Sequence, residues 1–345
     1  MKLLITDLHH GNSTSEYDIK YQLDHLEWLK EIIKEYNCDG VINCGDTHDK
    51  RMIASFRIIE LFKQKHREIS EMVENMYIIA GNHDNYYTNS NQITSLPSFF
   101  QSPNQILIQD EGFVDPSGKL FFIPWINESN SERLSEFVRG NNRKGNFLFS
   151  HLEQGGFRHG GTLSKNNQLY ISDFSKYDKV FSGHFHEKQE QGNLIYLGNG
   201  YQKDFGELER KFVHVLNEKT GEIIPIENRN WIYKKILIEN EDSEETIKEK
   251  CFDIENKKVR IYIDSSDTNF IIECEKIINS FKPYTRTITS KNPDIEYEEE
   301  MSTENINKTD EEMNLEFLDK ICYNNKEQKE CVFDNFEYYW KRSAI

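Results

Sequence analysis

The sequence predicts an α/β fold in layers, with a β-sandwich at its centre. Two features predict it. Short apolar strands alternate with segments of helical periodicity through the first hundred residues, and the sequence after them is strand-rich. Residues 2–7 (KLLITD) form a short apolar strand that ends in polar residues. Residues 21–36 place Leu23, Leu26, Leu29, Ile32 and Ile33 at helical spacing. Residues 40–46 (GVINCGD) are a second strand, 52–66 a second helix, and 76–84 (MYIIAGNHD) a third strand. Strands follow at 106–109, 119–126, 146–151, 179–186, 193–199, 211–217 and 221–227.

The pattern restarts after residue 230. Strands at 231–238, 257–264 and 284–289 alternate with helices at 242–251 and 268–280, a βαβαβ run that makes a small second domain. Residues 293–312 hold nine acids against one Lys. Such a segment cannot bury enough apolar surface to offset its ordering entropy, so it reads as a linker. Beyond it, 311–323 and 332–341 read as short helices. The last carries Phe333, Phe336, Tyr338, Tyr339 and Trp340, the character of a docking element for a partner. The expected domains are therefore 1–230, 231–292, the linker 293–312 and a helical segment 313–345.

Composition narrows the function classes. The chain has 345 residues, 37% of them hydrophobic, which is enough for a core and excludes global disorder. Apolar runs such as 120–126 (LFFIPWI) fall far short of the roughly 20 residues that span a bilayer, so no membrane is expected. The opening MKLLITD meets Asp7 and offers no signal-peptide core. The six Cys show no CxxC pair and read as reduced thiols of a cytoplasmic protein. The net charge of −17 excludes a simple basic, wrap-around nucleic-acid binder. Much of that charge sits in the acidic linker, away from the chemistry.

The chemistry lies in five polar motifs, each at the C-terminal end of a predicted strand. They are Asp7-Leu-His9-His10-Gly11, Gly45-Asp46-Thr47-His48-Asp49, Gly81-Asn82-His83-Asp84, His151, and Gly183-His184-Phe185-His186. Carboxylate, amide oxygen and imidazole are hard or borderline metal ligands. Any one motif alone is weak, since D-x-H occurs by chance and a lone His after a strand is usually structural. The ordered set is specific, because strands aimed at one sheet edge deliver their terminal side chains to one crevice. Seven such ligands suit two metal ions that share one carboxylate. Two metals about 3.5–4 Å apart clamp the attacking and leaving oxygens of a phosphoester displacement.

The set D-x-H, GD-x-x-D, GNHD, H, GH-x-H resembles the calcineurin-like metallophosphoesterase superfamily over roughly residues 1–230. The stretch after GHFH, residues 192–207 (GNLIYLGNGYQKDFGE), resembles the SbcD-type nuclease subunit of the double-strand-break repair nuclease–ATPase complex. Length, small second domain and general style are closest to the recombination endonuclease subunit of tailed phages. The resemblance implies a four-layer α/β/β/α sandwich, a small α+β capping domain that helps hold DNA, and a helical C-terminal segment that binds an SMC-like ATPase. It implies a homodimer formed through 52–66 and 91–101. Carried over residue by residue, Asp7, His9 and His186 resemble ligands of a first metal, and Asn82, His151 and His184 those of a second. Asp46 bridges them. His83 would assist the leaving oxygen, and Asp84 would orient His83 through a hydrogen bond. Two divalent ions are implied, with Mn²⁺ the usual one. His10 and His48 are expected to face solvent or to support the ligands. Lys50, Arg51, Arg57, Arg139, Arg143, Lys144, Arg158 and His159 are candidate substrate contacts.

The implied function is a Mn-dependent DNA nuclease working with an ATPase in recombination and repair, a 3′→5′ exonuclease on duplex ends and an endonuclease on single strands. A stand-alone phosphatase or phosphodiesterase would share the same ligands, but it would have little use for a capping domain and an aromatic C-terminal helix. A scaffold with a dead site is disfavoured by the complete ligand set.

Overall fold

The structure is a computed structural model that describes residues 1–160 and 162–289. The expected linker 293–312 and helical segment 313–345 lie outside the described residues. In chain order the elements begin with β1 (Lys2–Ile5), α1 (Glu16–Glu35), β2 (Gly40–Asn43), α2 (Phe56–Ser70), β3 (Asn75–Ile79), α3 (Leu96–Phe99) and β4 (Gln105–Ile108). Then come β5 (Phe113–Val114), β6 (Leu120–Phe122), α4 (Ser131–Asn141), β7 (Phe147–His151), β8 (Arg158–His159), β9 (Thr162–Leu163) and α5 (Ile171–Phe174). They continue with β10 (Lys179–Gly183), β11 (Gln189–Gln191), β12 (Leu194–Tyr196), β13 (Lys211–Asn217) and β14 (Glu222–Asn228).

Two six-stranded sheets organise them. One runs β14-β13-β1-β2-β3-β4, with β1 to β4 parallel and β13 antiparallel to β1. The other runs β11-β12-β10-β7-β6-β5, with β12, β10, β7 and β6 parallel. Side chains alternate along each strand, and this alternation makes the layers. Leu4, Ile42, Tyr77 and Ile79 of the first sheet meet Phe122, Phe149, Phe181 and Ile195 of the second in one buried cluster. The opposite faces pack on helices. Leu3, Val41 and Ile78 meet Leu26, Leu29 and Phe62 of α1 and α2. Phe121, Leu148 and Val180 meet Leu134 and Val138 of α4 and Phe174 of α5. Three apolar layers between four structural layers give the α/β/β/α sandwich.

Local chemistry sets the helix ends. Ser15 caps α1 by accepting from the Asp18 N–H, so the helix starts five residues before the apolar periodicity suggests. Helix α2 starts at Phe56, not 52, behind Ser55. Met52, Ile53 and Phe56 are 72%, 70% and 88% exposed, so apolar residues expected to pack in a helix form an open patch instead. Within 91–101 the only helix is the single turn α3.

The chain divides into two compact units that interleave in sequence. One comprises Met1–Lys235, Cys251–Arg260 and Phe281–Arg286; the other comprises Ile236–Lys250, Ile261–Ser280 and the described residues from 287 on. The elements after residue 230 are β15 (Tyr233–Glu239), α6 (Glu244–Cys251), β16 (Lys258–Asp264), α7 (Thr268–Ser280) and β17 (Thr285–Thr289), and the three strands form one sheet in that order. The expected βαβαβ run is thus present. In the first unit, Lys258 pairs with both carboxylate oxygens of buried Asp18 on α1, at 2.6 and 2.8 Å. Among the described residues, Cys38, Cys44 and Cys274 are free and buried, Cys251 is buried too, and no helix is long and apolar enough to cross a membrane.

Candidate metal centre

The five motifs converge because both sheets present the C-terminal ends of their parallel strands to one edge. Asp7 and His9 follow β1, Asp46 follows β2, and Asn82 and His83 follow β3. His151 ends β7, and His184 and His186 follow β10. Parallel backbone hydrogen bonds hold the first two loops side by side. Asp7 N–H donates to Gly45 O (2.9 Å), His9 N–H to Asp46 O (3.0 Å) and His10 N–H to Thr47 O (2.8 Å). Four of the converging residues have left-handed backbone: Asp7 (φ 52°), His9 (43°), Asp46 (52°) and His184 (89°). That conformation is costly for side chains of this size, and its concentration here marks a built site. Two glycines permit the approach. A Cβ on Gly81 would meet Asp46 Oδ1 at 2.1 Å, and Gly45 combines φ 101° with a Cβ position 2.5 Å from His151 Nδ1.

Three donor groups result: Asp7, His9 and His186; Asp46, His151 and His184; and His9, Asp46 and His83. The tautomers show what these groups require. His9 Nδ1 faces Asp49 Oδ1 at 3.2 Å and His186 Nδ1 faces Glu207 Oε1 at 2.5 Å. Each Nδ1 therefore carries its proton toward a carboxylate, and each Nε2 keeps a lone pair. Those two Nε2 atoms face each other at 3.0 Å, with Asp7 Oδ1 at 3.9 Å from one and 3.7 Å from the other. On the other side, His151 Nδ1 donates to Cys44 O (2.8 Å), which leaves its Nε2 facing Asn82 Oδ1 at 3.1 Å and Asp46 Oδ2 at 3.4 Å. His184 Nδ1 lies 3.0 Å from the same Asn82 oxygen. Lone pairs gathered like this repel unless positive charge sits among them. Donors bound to one ion at about 2.1 Å, at angles between about 90° and about 135°, lie about 3.0–3.9 Å apart. The residues present therefore fit divalent metals.

The electrostatics agree. Burial opposes charge on Asp46, yet the imidazoles of His151 and His9 outweigh it and hold the carboxyl well below its usual range. Burial also opposes charge on His151, but Asp46 outweighs it and pushes the imidazole up to about 9. His184 is pushed down to about 2, chiefly by burial and then by His151.

Several sequence-based expectations need correction. Asp84 does not hold His83. Its Oδ1 accepts from His48 N–H (3.0 Å) and its Oδ2 from Gly81 N–H (2.9 Å), so it ties together the two loops that carry Asp46 and Asn82. Burial, with Asp46 adding to it, pushes Asp84 up to about 7. His83 Nδ1 instead donates to Asp49 O at 2.6 Å, and its N–H donates to Asp46 Oδ1 at 2.8 Å. His10 and His48 do not face solvent. Both are buried, and His10 stacks on Phe62 and faces His66 Nε2 at 3.0 Å. Arg57 is engaged by both carboxylate oxygens of Glu16.

The supports behind the histidines were not assigned from sequence. Asp49 pairs with Lys203 Nζ at 2.9 Å. Glu207 accepts from Asn199 Nδ2 (2.7 Å), from Lys203 N–H (3.1 Å) and from buried Lys211 Nζ (3.0 Å). The signal for Glu207 was the run at 205–207 that carried the family resemblance.

Layers, strand-end loops and paired donor groups define a metal-dependent phosphoesterase. The calcineurin-like phosphoesterase family model matches residues 3–188, and the chain belongs to that family. Its class is phosphodiester hydrolase. The chain is 26% identical over 313 residues to exonuclease subunit 1 of Enterobacteria phage T4, covering 88% of this chain and 89% of that protein. Similar solved structures include a nuclease MPE of Pseudomonas putida, at 16% identity and TM-score 0.31, covering 65% of this chain and 87% of that one. A dimetal phosphatase from Danio rerio is 12% identical with TM-score 0.37, covering 57% of this chain and 87% of that one.

Proposed function

We propose that this chain is the nuclease subunit of a DNA-processing enzyme, cutting DNA with two Mn²⁺ ions and working with an SMC-like ATPase in recombination and repair. The observation that carries the reading is the gathering of Asp7, His9, Asp46, His151, His184 and His186 at one sheet edge, with Asn82 Oδ1 against His151 and His184 and with His83 beside them. The near full-length similarity to a subunit of a phage exonuclease supports it. Asp7, His9 and His186 would hold one ion, Asn82, His151 and His184 the other, and Asp46 both. The bound ions would supply Lewis-acid stabilisation of charge on the phosphate oxygens. His83, anchored through Nδ1 on the Asp49 carbonyl, would carry a proton on Nε2 to the leaving sugar oxygen. Asp49 and Glu207 hold His9 and His186 in the tautomer that binds metal.

The reading includes 3′→5′ digestion of duplex ends and endonucleolysis of single strands. It assigns residues 231–292 to DNA capping and 313–345 to the ATPase. The open apolar patch of Met52, Ile53 and Phe56 would be covered by a second copy of the chain. The test is digestion of end-labelled duplex and single-stranded DNA with Mn²⁺, with and without the ATPase, beside bis(p-nitrophenyl) phosphate. DNA cleavage that requires the divalent ion is expected. Turnover of the small ester without DNA cleavage would contradict the reading.

A further inference from the structure

The feature is Trp125, and the inference rests on the nuclease reading above. The run 120–126 buries Leu120, Phe121, Phe122, Ile123 and Ile126, yet Trp125 is left half-buried. Its backbone is fixed on both sides. The N–H donates to Ala80 O at 2.8 Å, immediately before the loop that carries Asn82 and His83. The carbonyl accepts from Asn91 Nδ2 (2.9 Å) and Asn130 Nδ2 (3.1 Å). Asn91 Oδ1 in turn accepts from Asn85 Nδ2 (2.8 Å) and Asn127 Nδ2 (2.6 Å). Hydrogen bonds at Ala80 and Asn85, on either side of the Asn82–His83 loop, therefore belong to the same network that fixes the backbone carrying the indole.

That indole stands beside one half of the cluster. Its ring lies 5.1 Å from the ring of His184 and 5.9 Å from that of His151. The other half has nothing comparable. Among the described residues, the rings next to His9 and His186 are each other's and that of His83. A role in packing alone would bury the ring, as Phe122 and Phe149 are buried in the neighbouring strands. A partly open indole on a fixed backbone beside a phosphodiester-cleaving centre has the chemistry that receives a nucleobase.

We infer that Trp125 is a specificity-determining contact, its indole stacking on the base of the nucleotide whose phosphate lies at the cluster. A base stacked on protein has left its own duplex stack. The substrate class this contact selects is a single strand, or a frayed end, with an unpaired base at the cut.

A mutant–substrate cycle tests it. One single-stranded oligonucleotide carries a normal base at the cleaved nucleotide, and a second carries an abasic tetrahydrofuran there. kcat/KM is measured on both for wild type, Trp125→Ala, Trp125→Leu and Trp125→Phe, with metal content and circular dichroism recorded for each. Removing the base should slow the wild type about tenfold, the scale of one base–aromatic stack. Trp125→Ala should lose about the same on the normal strand and nothing further on the abasic one. Trp125→Leu, which fills space without a π face, should behave like the Ala variant, and Trp125→Phe should recover most of the loss. Multiplying losses, or wild-type behaviour in the Leu variant, would overturn the inference alone. Wild-type turnover of bis(p-nitrophenyl) phosphate with neither oligonucleotide cut would overturn the nuclease reading and this inference with it.

Discussion

Two groups of histidines lie inside this molecule, and they differ in what surrounds them. At the sheet edge, His9, His151, His184 and His186 meet carboxylates, an amide oxygen and one another. Elsewhere in the main unit, His25, His66 and His214 are buried and, among the described residues, lack acidic partners. His66 meets His10 and the ring of Phe100, His25 lies among Trp28 and Tyr201 with Asn228 Nδ2 at 3.4 Å from its Nδ1, and neither ring nitrogen of His214 meets a partner among the described residues. Burial pushes all three down to about 3. At the edge, burial is countered at two of the four: Asp46 pushes His151 up to about 9, and Glu207 and Asp7 hold His186 above the ordinary imidazole range, while burial keeps His9 and His184 below it. Burial therefore does not mark function here. Convergence of lone pairs does.

The largest predicted effect comes from removing what both halves of the cluster share. Asp46→Ala should lose bound metal at both positions and about a thousandfold or more in kcat, since both oxygens of the displacement lose their support. Elemental analysis alongside turnover checks this; retained metal with full activity would refute the bridging role. His83→Ala should separate the two readouts, with metal content retained and kcat down about 10²–10⁴-fold. A milder change tests the support behind one ligand. Glu207→Gln should weaken metal binding about 10–100-fold by calorimetric titration, while the fold survives because Lys203 and Lys211 keep other acceptors, Asp49 and Glu209.

The smallest effect belongs to the histidines without acidic partners among the described residues. Their folded-state pKa values lie below the unfolded value of about 6.5, so the unfolded chain binds protons that the folded chain refuses. The stability they contribute is present above pH ~6.5 and is lost as pH falls toward 3, at about 1.4 kcal/mol per pH unit for each imidazole. His214→Leu should flatten the slope of urea-melt stability against pH by one such increment between pH 4 and 6. An unchanged slope would mean that His214 already carries a proton in the fold.

The difference between the two groups also decided what could be read in the sequence. The cluster was legible because each ligand directly follows an apolar strand, and parallel strands share an edge. The layers were legible because the strands at 2–5, 76–79, 147–149 and 179–183 are near-continuous apolar runs, the mark of strands covered on both faces. Partner choice was not legible. Asp84 sits beside His83 in sequence, but the turn aims its carboxylate at the N–H groups of His48 and Gly81, and the Asp49 carbonyl takes the imidazole. His10 and His48 are polar residues next to candidate ligands, and only the packing of α2 on His10 and of α3 on His48 shows that they are inside. Helix α4 was not read as a helix because only Leu134 and Val138 of its eleven residues are buried.

One measurement bears most directly on the cluster as a two-metal nuclease centre. Metal-stripped protein is titrated with Mn²⁺ while binding and cleavage of a single-stranded oligonucleotide are followed together, for wild type and His83→Ala. The geometry predicts two ions per chain in both proteins, with cleavage rising as the second ion binds in the wild type and almost none in the variant. Cleavage by the wild type without bound metal, or undiminished cleavage in His83→Ala, would contradict it.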